Sequence, residues 1–188
     1  MKVLSEEEGA AAVALARGAL DTAVRNEKFC LPSLPPVFSE KRGVFVTLTE
    51  GGELRGCIGL PYPVLPLGQA IREAAASAAL QDPRFPPVEP GELPGIRVEV
   101  TVLSVPAPLG GPSKEREACV RVGTHGLIAQ GYGRSGLLLP QVATEYCWSA
   151  GEFLDHTCLK AGLPPGSWKS PGVEVLSFEG QIFHEKGD

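Results

Sequence analysis

The sequence predicts an α+β chain in which an antiparallel or mixed sheet is flanked by helices. Two patterns and one kind of connection lead there. Short runs alternate like strands, longer runs repeat with helical spacing, and the strands are joined largely by hairpin-type turns rather than by the strand–helix alternation of a doubly wound sheet. With 188 residues, 43% of them apolar, the chain can bury a full core, and we expect a single domain over 1–188.

Ser5 with Glu8 three positions on is a capping-box signature, and Val13, Leu20 and Val24 then share one helical face. That spacing predicts a helix over 6–25. Pro32, Pro35 and Pro36 break the next stretch. Val44, Val46 and Leu48 alternate, Gly51-Gly52 permits a turn, and Glu53 to Ile58 returns as the antiparallel partner. From Leu67 to Leu80 an Ala-rich helix carries Gln69, Glu73 and Ser77 on one side and small residues for close packing elsewhere, until Asp82-Pro83 stops it. Ile96, Val98, Val100 and Val102 define the clearest strand. Leu103 and Val105 then take over the apolar phase, the mark of a bulge or of an end of pairing. Further strands are predicted over 120–124, 126–130 and 136–139. Ser149 and Glu152 open a second capped helix that buries Phe153, Leu154, Thr157, Cys158 and Ala161 and ends at Gly162 and Pro164. A strand over 173–184 closes the chain.

Composition narrows the function classes. Seventeen basic and 22 acidic side chains give a net charge of −5, so the general attraction to phosphate backbones is missing and nucleic acid is not expected as a partner. Residues 1–8 turn acidic where a secretory signal would turn apolar, and no apolar run approaches the roughly 18 residues needed to span a bilayer. The expected address is the cytosol, without a membrane. Five cysteines, at 30, 57, 119, 147 and 158, with no Cys-x-x-Cys pair, fit reduced thiols. A single Asn, a single Met, abundant Pro and more Arg than Lys suit a heat-adapted protein, and a GC-rich genome would give much of the same bias.

Gly131-Tyr132-Gly133-Arg134-Ser135-Gly136 satisfies the spacing of a dinucleotide-binding loop, but a strand follows it, not the helix whose N-terminal amides would face a pyrophosphate. We read it as a glycine turn. His156 and Cys158, two apart on a helix, point about 200° away from each other and cannot chelate together. Glu152, His156 and Lys160 form a solvated face instead, with Cys158 in the core. No metal site and no cofactor are expected.

Leu54-Arg55-Gly56-Cys57-Ile58-Gly59 differs because its parts cooperate. In an extended segment Arg55 and Cys57 share a face, so a guanidinium would lie beside a thiol and favour its thiolate form. Gly56 and Gly59 allow a ligand or another backbone to come close. The helix beginning at Leu67 would turn free amides toward the same region, a place for an anion. The competing explanation is packing: a small buried Cys57, Arg55 paired with a carboxylate such as Asp82, and glycines that serve only the fold.

This hexapeptide resembles the hallmark of the AMMECR domain family. Further segments resemble that family in order: Ala78-Ala79, Asp82-Pro83-Arg84-Phe85, His125-Gly126-Leu127, Leu138-Leu139-Pro140-Gln141-Val142, Phe153-Leu154, Lys160-Ala161-Gly162-Leu163 and Trp168. The resemblance implies a larger and a smaller subdomain with a cleft between them. It also implies partnership, since prokaryotic members occur with Memo-like and radical-SAM proteins and animal members act in protein interaction. It supplies no catalytic residue.

The leading expectation is an enzyme or enzyme subunit that binds a small anionic or nucleotide-like ligand. Cys57 would be nucleophile or acyl carrier and His125 a base. Arg55 would clamp the anion, with Gly56, Gly59, Arg84 and Gln141 as further ligand contacts. A non-catalytic interaction module is the alternative. RNA binding comes third and would need Arg55, Arg84, Arg121 and Arg134 to converge.

Overall fold

Along the chain run α1 (Glu6–Val24), β1 (Val44–Glu50), β2 (Glu53–Leu60), α2 (Leu67–Leu80), β3 (Ile96–Leu103), β4 (Ala107–Pro108), α3 (Arg116–Cys119), β5 (Gly126–Gly131), β6 (Arg134–Leu138), α4 (Pro140–Glu145), α5 (Ala150–Lys160), β7 (Glu174–Phe178) and β8 (Gly180–His184). They come from a computed structural model that describes residues 4–113 and 115–185. The chain divides into two units, residues 4–104 with 181–185, and Val105–Gly180.

In the first unit the Ser5 hydroxyl accepts the Glu8 N–H at 3.1 Å while the Glu8 carboxylate accepts the Ser5 N–H at 2.7 Å, which closes the capping box of α1. The sheet order is β2-β1-β3-β8, and β1 is antiparallel to both β2 and β3. Gly51 and Gly52, at φ of 59° and 87°, make the two-residue turn between β1 and β2. Val44, Val46 and Leu48 with Val98, Val100 and Val102 bury one sheet face in a core that α1 and α2 complete. Phe45, Thr47, Thr49, Glu99 and Thr101 point the other way and are half-buried. Buried Ala74, Ala75 and Ala78 let α2 approach closely. The phase change at Leu103 is an end of pairing: β3 stops there and Val105 is exposed.

The second unit carries a sheet of order β4-β7-β5-β6. Phe153, Leu154, Thr157 and Cys158 are the buried face of α5, and Trp168 joins their core with its indole N–H donating to Asp155 at 2.7 Å. Tyr132 and Gly133, at φ of 52° and 74°, form a tight turn between β5 and β6, so the glycine pattern is a hairpin.

Three expectations need correction. Residues 120–124 are not a strand: the Arg121 carbonyl accepts the N–H groups of Thr124 and His125, and Gly123 sits at φ 80°, so the segment turns. The strand over 173–184 is two strands, β7 and β8, which break at Glu179 and serve different sheets. His156 is half-buried rather than solvated because its ring stacks on Trp148, with centroids 3.8 Å apart and planes 3° from parallel.

Candidate functional site

β2 is an edge strand, and an edge leaves backbone groups without a ladder partner. At Cys57 side chains take that role. Its N–H donates to Asp82 Oδ2 at 2.8 Å, and its carbonyl accepts from the Arg84 guanidinium at 3.2 Å. With its backbone turned outward, Cys57 faces Thr47 as a non-hydrogen-bonded pair, the geometry in which side chains lie closest. Accordingly Thr47 Oγ1 lies 3.4 Å from Cys57 Sγ.

Asp82 is buried just beyond the end of α2 and accepts from Arg84 Nη2 at 2.7 Å, from Arg84 Nε at 3.0 Å and from the Arg84 N–H at 3.1 Å. The Arg84 hydrogen bond holds the Asp82 carboxyl well below the usual carboxylate range, against burial that pushes it up, and the Cys57 and Arg84 amides add to the lowering. Arg84 is raised in turn, chiefly by its hydrogen bond to Asp82, with Cys57 a smaller contributor beside its guanidinium. The Arg84 side chain remains 54% exposed. One edge of a fixed cation is therefore open to solvent next to the thiol.

Arg55 has partners other than Cys57. Leu48 pairs with Gly56 while Thr49 pairs with Leu54, so Arg55 is the extra residue of a β-bulge, and a bulge re-aims its side chain. The guanidinium grips Glu92 with two bonds, 2.7 and 3.1 Å, and donates to the Pro86 carbonyl at 3.0 Å. That contact lowers the Glu92 carboxyl, with help from the Glu89 N–H. The carboxylate partner expected at Asp82 is thus Glu92.

The glycines serve approach, each on its own face. A Cβ on Gly56 would stand 2.2 Å from the Ala78 carbonyl oxygen of α2, and one on Gly59 would stand 2.0 Å from the Phe45 ring. Because Gly56 meets Ala78, it is the C-terminal end of α2 that lies at Cys57. The expectation of free N-terminal amides there is overturned: α2 follows β2 after a short connection and runs back along it, carrying its N-terminus away.

His125 and Gln141 belong to the second unit. His125 Nδ1 lies 3.2 Å from the Arg121 N–H and Nε2 lies 3.1 Å from Arg121 Nε, although a neutral imidazole can accept at only one nitrogen. Burial first, and then the Arg121 charge, push its pKa down against the pull of Glu179. Gln141 is exposed near the start of α4, its carbonyl taking the Thr144 hydroxyl at 2.7 Å. Among the other thiols, Cys30 and Cys147 are exposed, Cys119 is half-buried, and burial pushes the Cys158 thiol up. Among the described residues no cluster of three or more His, Cys, Asp or Glu side chains is placed to hold a metal ion, and no helix is long and apolar enough to cross a membrane.

These features define an α+β protein of two antiparallel sheets with helices, whose signature is an Arg-Gly-Cys edge strand closed by an Asp-Pro-Arg segment. The chain belongs to the AMMECR1 family, which matches residues 13–183. It is 55% identical to Protein Mbar_A1807 of Methanosarcina barkeri, over 98% of this chain and 93% of that protein. It is 47% identical to Protein MJ0810 of Methanocaldococcus jannaschii, over 98% and 94%. The crystal structure of the uncharacterized protein PH0010 from Pyrococcus horikoshii superposes with a TM-score of 0.80 at 43% identity, covering 98% of this chain and 95% of that one.

Proposed function

We propose that this protein is an enzyme, or a subunit of one, that binds a small anionic or nucleotide-like ligand at Arg84, with Cys57 as nucleophile or acyl carrier. One observation carries the reading: a half-buried thiol lies between the Thr47 hydroxyl and a guanidinium fixed on its inner side by Asp82 and open on its outer side. A fixed cation beside the thiol draws an anionic reactant toward it. Arg84 thus takes the anion-clamping role that alternation assigned to Arg55. Arg55 and Glu92 brace the loop that presents it.

The test compares two alkylating agents of nearly equal size on native protein. Negatively charged iodoacetate should modify Cys57 faster than neutral iodoacetamide, after correction for their intrinsic rates. Arg84→Gln should cut that preference on the order of tenfold. Equal corrected rates in wild type would remove the anion site.

A second reading, an interaction module for the Memo-like and radical-SAM proteins that the resemblance implies, has one observation in its favour. Tyr146, 65% exposed, stacks on Trp148 at 4.9 Å and offers an aromatic surface of the kind that anchors interfaces. Titration of a purified Memo-like protein against wild type and Tyr146→Ala would test it, with unchanged affinity counting against it.

A further inference from the structure

Directly opposed residues of neighbouring strands share a face, and the register of the first sheet lines up an unusual set. Thr47 on β1 is opposite Cys57 on β2 and opposite Glu99 on β3, and Glu99 Oε2 in turn lies 3.4 Å from Nδ1 of His184 on β8. A thiol, a hydroxyl, a carboxylate and an imidazole thus form one row across the face that the core does not use. Its far end is held firmly. Next to His184, the Phe183 ring fills the space where a Gly9 Cβ would stand, and Glu185 takes two bonds from Arg17, at 2.8 and 2.5 Å.

Glu99 is the unusual member. It is a half-buried carboxylate whose one ion pair among the described residues is with His184, a side chain 70% exposed. A partner so exposed is largely screened by solvent. Arg97, two residues away on the same strand and exposed, forms no ion pair with Glu99 among the described residues.

We infer that Glu99 is a second ligand subsite, so that the site takes small bipolar molecules with an anionic group at Arg84 and a protonated amine at Glu99, lying across the strands. Two inter-strand spacings, roughly 10 Å, separate Cys57 from Glu99, and with Arg84 at the outer edge of Cys57 this is the least length of the ligand. The inference rests on the anion reading at Arg84 and adds its chemical complement. Thr47, midway along the row, positions the ligand over the thiol.

The test uses protection of Cys57 from iodoacetate by straight-chain acids. Octanoate supplies only the anion, β-alanine has both groups but is too short, ω-aminooctanoate has both at the required span, and suberate carries a second anion. We expect ω-aminooctanoate to protect at a concentration about fivefold lower than octanoate, with β-alanine showing no such gain. Glu99→Gln should erase the gain and leave octanoate protection unchanged. The inference is overturned if octanoate and ω-aminooctanoate protect equally, if the gain survives in Glu99→Gln, or if suberate protects as well as the amino acid, which would assign the second group to Arg97. If no carboxylate protects Cys57, the anion reading at Arg84 fails and this inference falls with it.

Discussion

Asp82 controls both the backbone and the electrostatics at Cys57, since it receives the Cys57 N–H and fixes the Arg84 guanidinium. Its loss leaves the half-buried Cys57 edge amide unpaired and a guanidinium without its carboxylate, and we predict that Asp82→Ala costs about 3 kcal/mol in urea unfolding. The pH dependence has a definite sign. The folded-state pKa of Asp82 lies below the unfolded value of about 3.9, so its contribution is complete above that pH and is lost as pH falls through the folded value. Wild type should therefore lose more stability than Asp82→Asn on acidification below about pH 4; parallel pH profiles would refute the role. Arg55 is expected to behave differently. Arg55→Ala should cost about 2 to 3 kcal/mol by orphaning Glu92, yet leave the iodoacetate preference of Cys57 intact. A lost preference in that variant would return the anion site to Arg55.

The hairpin of β1 and β2 is where sequence and structure part. Its turn and its core face were legible, because alternation around Gly51-Gly52 is a local pattern. The helices α1 and α5 were legible too, since both capping boxes lie within four consecutive residues. Counting back from a two-residue turn, however, pairs Thr47 with Gly56, whereas the bulge at Arg55 moves the pairing to Cys57. That one-residue slip sets which residues face Thr47, and no residue in the hexapeptide announces it. Glu92 and Glu99 were equally invisible, because they reach the site through the loop after α2 and through cross-strand register. Arg84 was legible only through its resemblance motif. Gly56 gives the element-scale prediction: a Cβ there would meet the Ala78 backbone, which cannot rotate aside, so Gly56→Ala should cost about 2 to 3 kcal/mol by prying α2 from the sheet. A change below about 0.5 kcal/mol would mean that helix and sheet are not so closely seated.

At the scale of the whole chain, composition bears on heat: the chain is poor in Asn and Met and rich in Pro. We predict a melting temperature above the ordinary mesophile range of about 45 to 65 °C; a value inside that range would assign the composition to genome bias. Of the four arginines that RNA binding would need, Arg55 pairs with Glu92, Arg84 with Asp82 and Arg121 with Glu179, and Arg134 donates to the Gly162 carbonyl. The central claim, that Cys57 is an activated thiol, is most directly tested by residue-resolved iodoacetate labelling of all five cysteines in the native protein near pH 7. Exposure alone would make Cys30 and Cys147 the fastest, since both are open to solvent and Cys57 is half-buried. Activation by Arg84 and Thr47 predicts instead that Cys57 reacts first; labelling of Cys57 behind both exposed thiols would contradict the account.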